Sequence, residues 1–223
     1  MADNHTIYKN GAKEIAHRNG LSLTFMAKPH HEWIGSSCHI HASLRRDGEN
    51  AFADESEEFR RFLAGQIACL AELAVFLAPA VNSYKRFAAG SWAPTTLAWG
   101  HDNRTCGFRV VGHGASVRSE TRIPGADANP YLAFAALLAA GLHGLEHELE
   151  LPPPLEGNAY ESDAERFPHS LREAIAALEA GRMARGALGD DVVDHYLNYA
   201  RKEQELFDRV VTGYERERMF ERG

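Results

Sequence analysis

The stretch SSCHIHASL, residues 36–44, decides how the chain is read. Two histidines stand one residue apart among small and apolar neighbours. Side chains on a strand repeat every second residue, so His39 and His41 face one side while Cys38 and Ile40 face the other. The strand continues as SSCHIHASLRR, 36–46, and stops at Asp47-Gly48, a pair suited to a hairpin turn. Upstream, LSLTFMAK (21–28) alternates apolar with small or polar residues and predicts a strand. The intervening PHHEWIGS is turn-rich, and a weak helical pattern over 5–19, interrupted by Gly11, closes at Asn19-Gly20.

Downstream, residues 54–78 predict a helix. Asp54 or Ser56 is its cap, acidic residues fill its first turn, and Phe59, Phe62, Leu63, Ile67, Leu70 and Leu73 form its apolar face. TTLAWG, CGFRVVG and VRSETRI read as three short strands within 95–123. A helix then opens at Asn129-Pro130, cap followed by proline. Its apolar residues wrap most of the circumference, which predicts a largely buried helix. LPPPLEGN (151–158) ends it. A capping box, Ser170 to Glu173, starts another helix, and an amphipathic one follows over about 190–211 through Val193, Tyr196, Leu197, Ala200, Leu206 and Phe207. Strands first and helices later predict an α+β fold on antiparallel strands, with a strand-rich part (1–150) and a helical part (151–223) of one domain.

The 223 residues are 44% hydrophobic and 25% charged, ordinary for a soluble globular chain. A net charge of −7 argues against a general nucleic-acid binder. Three separated cysteines give no disulfide framework and point to a reduced compartment. The apolar run near 67–81 is broken by Glu72 and Pro79, so no membrane span is expected, and a cytoplasmic location is.

Arg118, Glu120 and Arg122 alternate in VRSETRI and share one strand face. Taken alone, RxExR is better read as a surface ion-pair ladder, and HxH as two ordinary surface or packed histidines. Together with Lys85, Arg86, Arg104 and Arg109 they suggest a phosphate site. Hard cations such as Mg2+ or Mn2+ take carboxylate oxygens with an occasional imidazole, and phosphoryl transfer needs fixed guanidiniums around the developing charge. Glu120 and His39 are ligands of that kind, but two ligands do not hold a catalytic metal cluster.

KPHHEWIGSSCHIHASL, NSYKRFAAGSWAPTTLAWGHDNRT and RSETRIPGADANPYLAFAALLAAGLHGLEH, in this order, resemble the catalytic half of glutamine synthetase. The resemblance runs from YKNGAKEIAHRNGLSLTFMAKP to the terminal ERERMFERG. It implies an ATP-dependent ligase that phosphorylates the γ-carboxylate of glutamate and lets an amine attack the acyl phosphate. It implies that His39 and Glu120 bind metal, and that His41 and Ser43 contact nucleotide phosphates. Arg104 and Arg109 would surround the transferred phosphate, while Gly35, Arg86 and Arg122 would receive the amino-acid substrate. ATP with Mg2+ or Mn2+, and homo-oligomers with sites between subunits, are implied with it.

The departures are as informative. A glutamate that handles ammonium in ammonia-using members is replaced by Trp92, either through loop drift or because the nitrogen donor is a larger amine met by an apolar wall. Ile34 and Ser37 stand where asparagine and glycine are expected. GSWAP and WGHDNRT look like γ-glutamyl-amine ligases. The family's N-terminal β-grasp domain and the first part of its catalytic domain, with the other metal-binding glutamates, are not in these residues. The expectation is therefore a weakly active or inactive isolated chain. The alternative is a non-catalytic remnant that binds nucleotide or docks on a longer paralogue. Tyr160 lies near a tyrosine that some bacterial relatives adenylylate, and no role is assigned to it. Cys38 and Cys106 are read as small buried hydrophobes.

Overall fold

The computed structural model describes residues 1–222. Its strands are β1 (Ile40–Ala42), β2 (Arg45–Arg46), β3 (Glu49–Asn50), β4 (Trp99–His101), β5 (Phe108–Val111) and β6 (Arg118–Thr121). Its helices are α1 (Ala2–Arg18), α2 (Glu57–Cys69), α3 (Ala74–Leu77), α4 (Val81–Tyr84), α5 (Pro130–Glu146), α6 (Leu171–Ala180), α7 (Met183–Leu188), α8 (Asp190–Asp208) and α9 (Gly213–Phe220). The α+β class is as expected. Among the described residues, no helix is long and apolar enough to cross a membrane.

Four strands form one sheet in the order β1-β6-β5-β4. Its register brings the polar residues together. His41 lies opposite Glu120, and Glu120 opposite Arg109, so three chemistry-bearing residues line up in one row across three strands. β2 and β3 make a separate hairpin across Asp47 and Gly48, whose φ values of 52° and 88° are the left-handed pair that such a turn requires. The strand read over 36–46 is thus shorter than expected, with an isolated bridge from Ser37 to Gly125 ahead of β1 and a break after it.

The antiparallel expectation holds for β1–β6 and β5–β6 and fails for β4–β5, which is parallel. Parallel neighbours usually need a long crossover. Here residues 102–107 fold straight back, and Gly107 makes that possible: a Cβ there would lie 2.4 Å from the Thr96 carbonyl oxygen. LSLTFMAK forms no strand. Among the described residues it has no ladder partner, Leu21, Leu23 and Met26 are exposed, and its end is held by Asn82, whose side chain bonds both backbone groups of Lys28.

The helix expected over 54–78 is interrupted twice. Asp54 and Glu55 both have φ of 53°, leaving Ser56 as the true cap, its hydroxyl accepting from the Phe59 N–H at 3.1 Å. After Cys69 the chain loosens into turns before α3, and Glu72 reaches across to accept the Ala184 N–H at the start of α7 at 2.7 Å. The helix α7 itself had no sequence signal. α1 runs unbroken through Gly11. The Asn129 cap, the Ser170 cap and most of α8 fall where expected, although Leu206 is exposed. α5 buries one stripe (Ala133, Ala136, Leu137, Ala140, Gly141, Gly144) against α2 and leaves Tyr131, Leu138 and Leu142 in solvent, so it is half rather than largely buried. One continuous apolar core joins α2, α3, the inner face of β4 and β5, Val117 and Ile123 on either side of β6, α5, α6 and α8.

Candidate functional site

Glu120 is the centre of the row. Its carboxylate is 4% exposed and meets four side chains. The His39 Nδ1 lies 2.9 Å from Oε1, the Arg109 Nη1 3.0 Å from Oε2, and the Arg122 Nη1 3.3 Å from Oε1. The His41 Nε2 stands further off, 3.8 Å from Oε1. The two imidazoles therefore do aim at one place, as the spacing predicts. Arg109 is held in turn by Asp102, which accepts from its Nε at 2.8 Å. Arg118 completes the face, donating from Nε to the His41 Nδ1 at 3.3 Å.

Burial alone would push the Glu120 carboxyl up. The hydrogen bonds from His39 and Arg109, with the Arg122 charge, overcome it and hold the group down at about 2. Glu120 is an anion throughout the physiological range. His41 is held below its ordinary value, chiefly by burial and by the nearby cations, against the pull of Glu120. That suits a neutral ring whose Nδ1 accepts from Arg118. Burial pushes the Cys69 and Cys106 thiols up to about 11, as for small buried hydrophobes, and raises Cys38 as well, although Cys38 is half-buried rather than buried as expected.

The remaining candidates divide. Arg122 belongs to the cluster and also donates from Nη2 to the Trp92 carbonyl at 3.1 Å. Trp92 is thereby tied to the site, with a left-handed backbone (φ 60°) and an exposed indole. Arg86 stands apart from Glu120. It is almost fully buried, and its Nη2 donates to the carbonyls of Arg122 (3.1 Å), Ile123 and Pro124 (3.3 Å), so it fixes the chain leaving β6. Gly35 packs directly on Arg86, where a Cβ would come within 2.6 Å of Cγ. Arg104 is exposed in a cleft beside Trp92, and Ser43 is exposed just past β1.

Three residues were missed. Asp102 and Asn103, in HDNRT, lie between the expected strands TTLAWG and CGFRVVG. Yet Asp102 anchors Arg109, while Asn103 bonds the Gly157 carbonyl at 2.8 Å and orders Thr105. Tyr160, given no role, donates its hydroxyl to the Ala93 carbonyl at 2.9 Å. The sequence offers a signal only for Asp102, a carboxylate in the loop just before the arginine-bearing strand β5; Asn103 and Tyr160 act through backbone partners far along the chain.

The donor chemistry at Glu120 fits one hard cation in part, an ionised carboxylate beside an imidazole. Among the described residues, three closely spaced donors occur elsewhere, at His30, His31 and Glu32 in the turn before Gly35. At Glu120 the carboxylate and His39 are in direct contact, with His41 3.8 Å away, one carboxylate with two imidazoles.

Comparison with known proteins gives the same picture. The family model described as "Glutamine synthetase, catalytic domain" matches residues 1–219. A Streptomyces coelicolor protein, "Gamma-glutamylethanolamide synthetase GlnA4", is 57% identical over 99% of this chain, which covers 48% of that protein. "Type-1 glutamine synthetase 2" of Dictyostelium discoideum is 41% identical over 99% of this chain and 45% of its own length. The solved structure titled "GmaS/ADP complex-Conformation 1" superposes with a TM-score of 0.91 at 35% identity, covering 99% of this chain and 54% of that one. The chain spans about half the length of the curated relatives it matches. It belongs to the glutamine synthetase family, within the catalytic domain.

Proposed function

We propose that this chain carries the phosphate- and carboxylate-handling part of an ATP-dependent ligase that joins the γ-carboxylate of glutamate, or a close analogue, to an amine larger than ammonia. The γ-phosphoryl group of ATP passes to the carboxylate oxygen, giving an acyl phosphate and ADP. The amine nitrogen then attacks the carbonyl carbon, its C–N bond forms as the C–O bond to phosphate breaks, and the nitrogen loses a proton. His39 and Glu120 would hold Mg2+ or Mn2+, whose contribution is to neutralise phosphate oxygens. Arg109 and Arg104 stabilise charge on the transferred group, with His41 and Ser43 at the nucleotide phosphates. Arg122 and the Gly35 turn receive the amino acid, and Arg86 supports both from behind.

One observation carries this reading: a buried, ionised Glu120 at the centre of a cross-strand row, gripped by Arg109 within the row and by His39 and Arg122 beside it. Buried charge of this density is costly and collects at functional sites. Trp92 favours a larger amine, because an indole offers an apolar, cation-attracting face and no carboxylate. The similarity to a protein named for an ethanolamide product points the same way.

A second reading has its own support. Among the described residues, His39 is the one metal-type side chain in direct contact with Glu120, His41 standing 3.8 Å off, and the chain covers about half of its relatives. A non-catalytic nucleotide-binding part, acting with a longer subunit of the family, satisfies both facts. The test is ADP release by the purified chain with MgATP and glutamate, comparing ammonia with methylamine, ethanolamine and putrescine. Release stimulated by an amine and not by ammonia is expected from the first reading. MgATP binding that is lost in Glu120→Ala, without release under any condition, establishes the second.

A further inference from the structure

A cleft of about 530 Å3 lies beside the Glu120 row, between the loops that carry Trp92, Arg104 and Glu156. Two of its lining residues bond directly to the cluster. The Trp92 carbonyl accepts from Arg122, and the Asp102 carboxylate accepts from Arg109. The cleft therefore includes Arg104 and adjoins Arg109 and Arg122 through the two residues that bond them.

Its walls are built rather than incidental. Asn103 donates to the carbonyls of Leu155 (3.4 Å) and Gly157 (2.8 Å), and its Oδ1 accepts from the Thr105 hydroxyl at 2.7 Å. The Thr105 Oγ1 in turn accepts the Ala159 N–H at 2.9 Å. The Tyr160 hydroxyl reaches back to the Ala93 carbonyl, next to Trp92. Three loops are thus locked into one frame. Within it, Trp92 keeps a left-handed backbone that non-glycine residues seldom adopt and that persists where the surroundings impose it. Its indole remains exposed above the cleft.

The polar groups of Asn103 and Thr105 are all engaged in that frame, and His101 faces Glu55 at 3.3 Å. Among the described residues, Glu156 is the lining carboxylate without an ion-pair or side-chain partner, while Trp92, Pro154 and Leu155 supply apolar surface. We infer that this cleft receives the organic tail of the amine, and that the tail is a short chain ending in a second hydrogen-bond donor, a hydroxyl or an ammonium, directed at Glu156. Tyr160 is the positioning residue that holds the Trp92 wall. The inference rests on the amine-ligase reading of the Glu120 site for the identity of its ligand.

The test uses the whole chain with 15N-labelled tryptophan, the Trp92 indole N–H signal being assigned by its loss in Trp92→Phe. Ethanolamine and 1,3-diaminopropane are titrated against propylamine, which has the carbon chain without the second donor. Both donor-bearing amines should shift the Trp92 signal at concentrations about tenfold lower than propylamine, as one hydrogen bond to a charged group allows. Glu156→Gln should abolish most of that preference. A response to only one of the pair identifies the terminal group and retains the site. No response of Trp92 to any amine, or equal responses to all three, overturns the inference. ADP release supplies the second arm: Tyr160→Phe should raise the KM for amine several-fold and leave that for glutamate unchanged. A Trp92 response without ADP release sinks catalysis by the chain and keeps the subsite. Amine-dependent release that is indifferent to both variants sinks the subsite and keeps the ligase.

Discussion

Glu120 ionises in a place where burial opposes it, and the reason is arithmetic of neighbours. Two guanidiniums and two imidazoles face one carboxylate, so removing the carboxylate leaves Arg109 and Arg122 as like charges close together. Breaking a buried pair from one side costs about 3–5 kcal/mol. Glu120→Gln should lower the unfolding free energy measured by urea titration by an amount in that range, while Glu58→Gln, at a surface pair with Arg46, should change it by less than about 1 kcal/mol. The same group sets an acid dependence. Its native value of about 2 lies below the ordinary 4.5, so its contribution is full above pH 4.5 and disappears as pH falls toward 2. Roughly 3 kcal/mol is involved by that linkage. Urea titrations at pH 6 and pH 3 should show this loss in the parent and a smaller one in Glu120→Gln; equal losses in both would place the acid sensitivity elsewhere. At this scale much was legible. Period two alone put His39 with His41 and Arg118 with Glu120 and Arg122. The burial of Arg86 was not legible, because nothing local distinguishes a guanidinium that meets a substrate from one that meets three backbone carbonyls.

Elements were legible where their signals are local and fail where they depend on packing. The Asn129 and Ser170 caps and the Asp47-Gly48 turn are chemistry between near neighbours, and each sits where the sequence puts it. The parallel β4–β5 pair was not legible, since its short link reads as a hairpin until Gly107 is seen lying on the Thr96 carbonyl. Nor was the depth of contact between α2 and α5. Those helices cross where Gly65 meets Gly144: a Cβ on Gly144 would lie 2.1 Å from the Arg61 carbonyl oxygen and 2.7 Å from the Gly65 Cα. On an isolated helix, Gly→Ala gains up to about 1 kcal/mol. Here the gain is overtaken, because the obstructing atoms are backbone and cannot rotate away, and overpacking costs about 1–3 kcal/mol or more. Gly144→Ala should therefore destabilise the chain, whereas Gly186→Ala in α7, with open space around its Cα, should be neutral or stabilising. Thermal midpoints of the two variants check the sign; a stabilised Gly144→Ala would mean that the helices can separate without loss.

Across the whole molecule, order is unevenly supported. The accessible surface is 12,814 Å2. A compact monomer of this mass exposes about 10,100 Å2 by the usual scaling. Part of the excess lies at the N-terminal end, where α1 buries none of its seventeen residues and Ile7, Tyr8 and Ile15 face solvent. What holds α1 is sparse: Lys9 donates to the Ala126 carbonyl at 2.7 Å and stands over the Phe25 ring, and Tyr131 bonds Asp3. The core around α2, α5 and β4–β6 needs none of these contacts, since its apolar cluster draws no residue from α1. Opening free energies follow buried contact, so α1 should open far below the global transition. Hydrogen exchange by mass spectrometry should find the α1 amides exchanged within seconds, while those of α2 and α5 persist to the global limit. Lys9→Met should hasten exchange in α1 alone and leave the Glu120 row unperturbed. If α1 is protected as long as α5, its apolar face is covered in solution, and the weak contacts seen along this chain are not what holds it.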